Sequence, residues 1–216
     1  MKNKRENQGK SSASLWGMLL FFILIAIDQL TKLFADVYFS ATGAPNEITL
    51  IDGWLWLRIT YNRGISYGLG SDSSPVLKII VIVLTAVIMA GLLVWYFKLD
   101  KNRKFLRTAL VFIVAGGVGN LIDRVQYQVW DPATYPLGVR DMVDLSKFGF
   151  AVCNFADFFI TAGAVMLVLS LLFFDKDAVL PIGKYKKLAQ AEEAEKVEEA
   201  GEAEDAEAGA KEETNG

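Results

Sequence analysis

The sequence predicts an all-α integral membrane protein with four transmembrane helices and a small extracytoplasmic β-element between helices 1 and 2. Three observations carry this reading. Apolar residues make up 53% of the 216-residue chain, above the roughly 45–50% of soluble domains, and they gather in four blocks that each approach the roughly 20 residues needed to cross a bilayer core. Lys and Arg are divided unequally between the flanks of those blocks. Between the first two blocks, Glu47–Tyr61 is rich in β-branched and aromatic residues and alternates partly around Asp52-Gly53, which is a hairpin signal.

The first block runs from Leu15 to Val37 and follows a basic segment containing Lys2, Lys4, Arg5 and Lys10. That charge resembles the start of a signal peptide. The apolar run exceeds a signal-peptide core, however, and no small-residue cleavage site follows at once, so an uncleaved helix is expected. The second block, Val76–Phe97, is free of charge apart from Lys78; the third covers Leu106–Val125 and the fourth Asn154–Phe174. In the hairpin, Trp54 and Trp56 suit the headgroup level of a membrane surface.

Orientation follows from the short flanks. Residues 1–14, 98–107 and 175–187 together hold 13 Lys and Arg, whereas residues 38–74 and 126–152 hold only Arg58, Arg63, Arg140 and Lys147. Both termini and the 98–107 loop are therefore expected in the cytoplasm, and the two longer connections outside. This divides the chain into a cytoplasmic N-terminus (1–14), a membrane domain (15–175) with extracytoplasmic segments at about 38–74 and 126–152, and a cytoplasmic tail (176–216). Residues 189–216 hold 11 acidic residues, two lysines and no aromatic residue, so the net charge of -3 conceals a body carrying +6. Such a composition buries too little apolar surface to fold alone, and disorder is expected from about residue 189.

The chain has no histidine, which excludes Ser–His and Cys–His nucleophiles and His-ligated metals. Cys153 is the single cysteine, so neither a disulfide nor a cysteine metal cluster can form. Gly64–Gly68 reads G-x-S-x-G, but a nucleophile elbow needs a histidine base. A Ser–Lys dyad would have to recruit Lys32 or Lys78.

Polar groups inside apolar blocks are costly and point to function. Asp28 and Lys32 share a helical face and can neutralise each other. Asn62 and Gly64 follow the hairpin. GGVGNLIDR ends the third block and presents Asn120, Asp123 and Arg124 beside glycines that permit close helix approach. Asp157 opens the fourth helix, with Asn154 three residues earlier, an arrangement that also serves helix capping. Asp144 lies in the preceding connection. Two carboxylates held a few ångströms apart can hydrolyse a peptide without histidine or metal, because the pair shares one proton and supplies both base and acid.

The motifs DQLTK, Asn62-x-Gly64, GNLIDR, MVD and N-F-A-D occur in this order on the four predicted helices and resemble the bacterial lipoprotein signal peptidases, the signal peptidase II family. The resemblance covers about residues 15–175. It implies an aspartyl endopeptidase of the bacterial cytoplasmic membrane that acts from the extracytoplasmic side without a cofactor or metal. Its substrate is the signal peptide of a prolipoprotein with a diacylglyceryl cysteine, cut just before that cysteine. Its partners are membrane lipids and not nucleic acid, and it acts as a monomer. The matching positions make Asp144 and Asp157 the catalytic pair. Asn62, Gly64, Asn120, Asp123, Arg124 and Asn154 line or hold the site, and Asp28 and Lys32 support the surface element. The segment between Asp123 and Asp144 is longer than is usual in the family, which leaves Asp141, and after it Asp131, as alternatives for the loop acid. Cys153 replaces the aromatic residue common before the Asn. From another class, a small transporter or channel subunit would also use a polar outward cluster, although no internal repeat supports it.

Overall fold

A computed structural model of the chain describes residues 2–64, 73–131, 133–134, 137–175, 177–194, 196–197 and 201. The elements run α1 (Lys2–Ser40), β1 (Ile48–Ile51), β2 (Leu55–Asn62), α2 (Pro75–Lys98), α3 (Lys104–Gln126), β3 (Val139–Asp144), a 3₁₀ turn (Ser146–Phe148), β4 (Val152–Cys153) and α4 (Phe155–Leu172). Four helical stretches, Leu15–Ser40 of α1 and all of α2, α3 and α4, are long and apolar enough to cross a membrane.

Local chemistry sets the boundaries. α2 begins where Ser74 Oγ accepts the Leu77 N–H and Pro75 occupies the first turn, a position where its missing N–H costs nothing. α1 extends back to Lys2, earlier than the expected start at Leu15. Residues 2–14 contain no proline, and three lysines with one each of Arg, Glu, Gln and Ala are good helix formers, so the polar flank continues the apolar helix. Gly53, at φ +70°, closes the β1–β2 turn in a conformation that favours glycine.

The four strands form one antiparallel sheet in the order β1-β2-β3-β4. The expected β-element is therefore present as β1 and β2, but the 126–152 connection is not simple loop: it supplies the other half of the sheet. β2 and β3 pair Asn62 with Val139, Tyr61 with Arg140 and Thr60 with Asp141. The register then shifts before Leu57 pairs with Val143 and Trp56 with Asp144. That shift leaves Arg58 and Ile59 of β2 opposite Met142 alone, a bulge on β2.

α3 is the central helix: 61% of its apolar window is buried, against 6% for α2. Its glycines allow this. A Cβ on Gly116 would lie 2.4 Å from the Ala156 carbonyl oxygen, and one on Gly119 would lie 2.5 Å from Asp28 Oδ2. α4 thus approaches α3 at backbone distance, and the Asp28 carboxylate of α1 fits against Gly119. A core of Leu24, Tyr96, Leu110, Val111 and Ala115 fills the other part of the helices, while Ala35, Met142 and Val143 seat the sheet.

The chain divides into two compact units, Met1–Val165 and Met166–Gly216. In the second, Val179 and Leu180 donate backbone N–H groups to the carbonyls of Leu171 and Leu172. The chain is helical again over 184–194, where disorder was expected from about 189. Ala, Glu and Lys are strong helix formers, and Lys196 pairs with Glu192 one turn away at 3.3 Å. Residues 195, 198–200 and 202–216 of the expected disordered tail lie outside the described residues.

Candidate active site

β4 runs directly into α4, and Asn154 sits at the junction. Its Oδ1 accepts the Asp157 N–H at 3.1 Å, while Asp157 Oδ2 accepts the Asn154 N–H at 3.1 Å. This reciprocal pair is a capping box, so Asp157 does cap its helix. Its second oxygen is engaged elsewhere: Asn120 Nδ2, from α3, donates to Asp157 Oδ1 at 2.8 Å. The Asn154 amide also donates to Asn120 Oδ1 at 3.0 Å and to Asp141 Oδ1 at 2.6 Å. Asn154 therefore touches both Asp157 and Asp141. A side-chain hydrogen bond from Asn62 reaches Asp141 as well. Asn62 is its same-face diagonal neighbour across the β2–β3 ladder.

Asp141 is almost wholly buried. Burial and the negative charge of Asp157 raise its carboxyl to about 7, against the smaller opposing effects of the Asn154 and Asn62 hydrogen bonds and of Lys32. A carboxylic acid that keeps its proton near neutral pH beside a second carboxylate is the electrostatic pattern of a shared-proton pair.

Asp144, the expected loop acid, lies outside this cluster. It forms an ion pair with Arg58 at 2.9 Å and accepts the Ser146 N–H at 2.9 Å. Burial pushes its carboxyl upward, but the bonds from Ser146 and the Arg58 charge outweigh this and hold it below the usual value. The physical reason is strand periodicity. Successive side chains of β3 alternate between faces, so Asp141 and Asp144, three apart, point in opposite directions. Asp131, the remaining alternative, accepts the Thr134 N–H at 3.3 Å. Cys153 lies near all three acids; burial, then the charges of Asp157, Asp141 and Asp144, push its thiol up to about 12, so it remains a neutral thiol.

The other expected residues fall into two groups. Asn62, Gly64 and Arg124 form a link beside the pair: Asn62 Oδ1 accepts the Gly64 N–H at 2.9 Å, and Arg124 donates to the Gly64 carbonyl at 3.3 Å. Arg124 also stands within electrostatic reach of Asp157 and Asp141. Of the G-x-S-x-G motif, residues 65–68 lie outside the described residues.

Asp28, Lys32 and Asp123 make a fully buried charge cluster under the pair. Lys32 Nζ lies 2.9 Å from Asp28 and 3.6 Å from Asp123, and it donates to Asn120 Oδ1 at 3.0 Å. Asp28 Oδ1 accepts the Ala156 N–H at 2.9 Å. The Asp28–Lys32 pair therefore bonds α3 and the first turn of α4, and through Asp123 it adjoins Arg140 of β3. Asp36 of α1 also reaches β2, where it accepts the Tyr61 hydroxyl. Burial, then Asp36, pushes that phenol up to about 12.

Two contributors escaped the sequence reading. Arg140 pairs with Asp123 at 2.8 Å, and Gln29 bridges Asp28, Gly119 and Arg140. A basic residue directly beside a candidate acid, as in VRDMVD, is the signal that could have marked Arg140. Among the described residues, no group of three or more Asp, Glu or Cys side chains could hold a metal ion.

Comparison with known proteins gives the same family as the sequence resemblance. The family description "Signal peptidase (SPase) II" matches residues 20–173. The lipoprotein signal peptidase of Fusobacterium nucleatum is 34% identical over 161 residues, covering 74% of this chain and 87% of that protein. That of Ectopseudomonas mendocina is 30% identical over 167 residues, covering 76% and 90%. A solved bacterial membrane enzyme aligns with a TM-score of 0.56 at 26% identity, over 72% of this chain and 87% of its own. With a matched span that takes in α3, the strand carrying Asp141 and the head of α4, the chain belongs to the signal peptidase II family.

Proposed function

We propose that the chain is a membrane aspartyl endopeptidase in which Asp141 and Asp157 form the catalytic pair. In this reading it removes the signal peptide from diacylglyceryl-modified prolipoproteins just before the lipidated cysteine. The observation that carries the reading is Asn154, whose side chain bonds Asp141 at 2.6 Å while it forms the capping box with Asp157. The chemistry follows from the pair. One carboxylate takes a proton from water as the water attacks the scissile carbonyl. The neutral carboxylic acid hydrogen-bonds the carbonyl oxygen and then protonates the leaving amine. The raised Asp141 carboxyl supports its role as the resting proton carrier. Asn120 and Asn154 orient the two acids, and Asn62 steadies Asp141.

The Lys and Arg asymmetry supports a cytoplasmic location for both termini, with the sheet and acid pair on the extracytoplasmic side of a bacterial cytoplasmic membrane. Trp54 and Phe148, both exposed, meet at 5.3 Å between ring centroids and suit contact with lipid headgroups. The enzyme is read as a monomer.

The test is cleavage of a diacylglyceryl-modified prolipoprotein by purified full-length protein. Asp141→Asn and Asp157→Asn should each abolish turnover while the folded yield stays at the wild-type level, and Asp144→Asn should remain active. An inactive Asp144→Asn beside an active Asp141→Asn would overturn the assignment.

A further inference from the structure

We propose that Arg140 is a positioning residue for the adjacent acid Asp141, acting through a clamp on Asp123; this rests on the assignment of Asp141 to the catalytic pair. Arg140 is bound to Asp123 three times: its backbone N–H donates to Oδ2 at 3.0 Å, Nε donates to Oδ2 at 3.3 Å, and a terminal guanidinium nitrogen donates to Oδ1 at 2.8 Å. The same nitrogen reaches Gln29 Oε1 at 3.2 Å, and the guanidinium lies 5.2 Å from the centre of the Tyr127 ring. Both charged side chains are buried, at 4% and 0% exposure.

The clamp acts where the β2–β3 ladder is irregular. The β2–β3 register shifts between Thr60 and Leu57, immediately beside Asp141. A bulge leaves its extra residue unpaired and disrupts the ladder locally, and a slip by one residue would turn every side chain to the opposite face. Such a slip would bring Arg140 to Asn154 and swing Asp141 away from Asp157. A forked guanidinium on a carboxylate is directional in a way that a single bond is not. Anchoring Arg140 to α3 on one face fixes Asp141 on the other. Asp123 lies three residues beyond Asn120 on the same helix, so one element positions both acids: Asn120 bonds Asp157, and Asp123 sets Asp141 through Arg140.

The experiment uses full-length protein in detergent and a diacylglyceryl-modified lipopeptide, with kcat expressed per folded molecule. Arg140→Gln should lower kcat about a hundredfold, the scale of an ångström-sized misplacement of a reacting group, with KM unchanged. Arg140→Lys should recover part of the loss. Asp123→Asn should reproduce it, and the double variant should be no worse than either single variant. Wild-type kcat in Arg140→Gln would overturn the proposal. So would a loss confined to the folded fraction, or additive losses in the double variant. A fully active Asp141→Asn would instead sink the catalytic assignment itself, whatever Arg140→Gln shows.

Discussion

Lys32 donates to Asn120 Oδ1 at 3.0 Å, and this contact sets the direction of the amide whose nitrogen then donates to Asp157 at 2.8 Å. An ammonium has donors only, so the oxygen end of Asn120 must face Lys32 and the nitrogen end must face Asp157. The bond from Asn154 to the same oxygen reinforces that choice. A lysine buried in the helix bundle thereby controls the presentation of an acid at the head of α4.

Lys32→Met should test this arrangement at the level of stability and rate together. It leaves Asp28 and Asp123 buried, with Arg140 as the cation remaining beside Asp123. Breaking a buried ion pair by removing one partner costs about 3–5 kcal/mol. The thermal unfolding midpoint in detergent should fall clearly, and the surviving folded enzyme should turn over more slowly because Asn120 is free to flip. An unchanged midpoint would show that the cluster does not carry this load.

The residues that were legible from sequence are those whose environment is decided locally. Four apolar runs specify four helices because a bilayer leaves a long uncharged segment few alternatives. Asp52-Gly53 announces its turn through the positive φ that glycine tolerates. Asp157 and Asn154 were legible because a capping box is a short-range pattern. β3 was not. All six of its residues are buried, yet Arg140, Asp141 and Asp144 interrupt any apolar alternation, and each is compensated by a partner distant in sequence: Asp123, Asn154 and Arg58 respectively. Without the strand there was no period of two to separate Asp141 from Asp144, and the MVD motif pointed to Asp144 with Asp141 as its alternative.

The pH dependence follows from Asp141. Its folded value is raised to about 7 from 3.8, so between those values the folded protein binds more protons than the unfolded chain. Stability contributed by this group is complete below about pH 4, declines as pH rises towards 7, and is level above it. Asp141→Asn removes the titration while keeping an oxygen acceptor for Asn154. The variant should therefore gain stability relative to the wild type at pH 8 compared with pH 5, as read from unfolding midpoints at the two values. In the wild type, turnover should fall as pH rises through the alkaline limb set by this proton. A midpoint difference that does not change with pH would refute the raised carboxyl at Asp141.

Gly116 offers a test of how the helices hold the pair. An added Cβ would meet the Ala156 carbonyl oxygen at 2.4 Å and Ile160 Cγ1 at 2.8 Å. A carbonyl within the first turn of α4 cannot rotate aside as a side chain would, so Gly116→Ala must push α4 away from α3. Overpacking of this kind costs about 1–3 kcal/mol. The displaced turn carries Asp157, and Asn120, one helical turn beyond Gly116, would lose its bond to that acid. Activity per folded molecule should therefore drop together with stability. Gly91 on α2 is the matched control, because an added Cβ there meets nothing within 4 Å. Gly91→Ala should leave both cleavage and the unfolding midpoint at or above wild-type values. Equal tolerance at the two sites would mean that the close approach of α3 to α4 does not hold Asp157 in place.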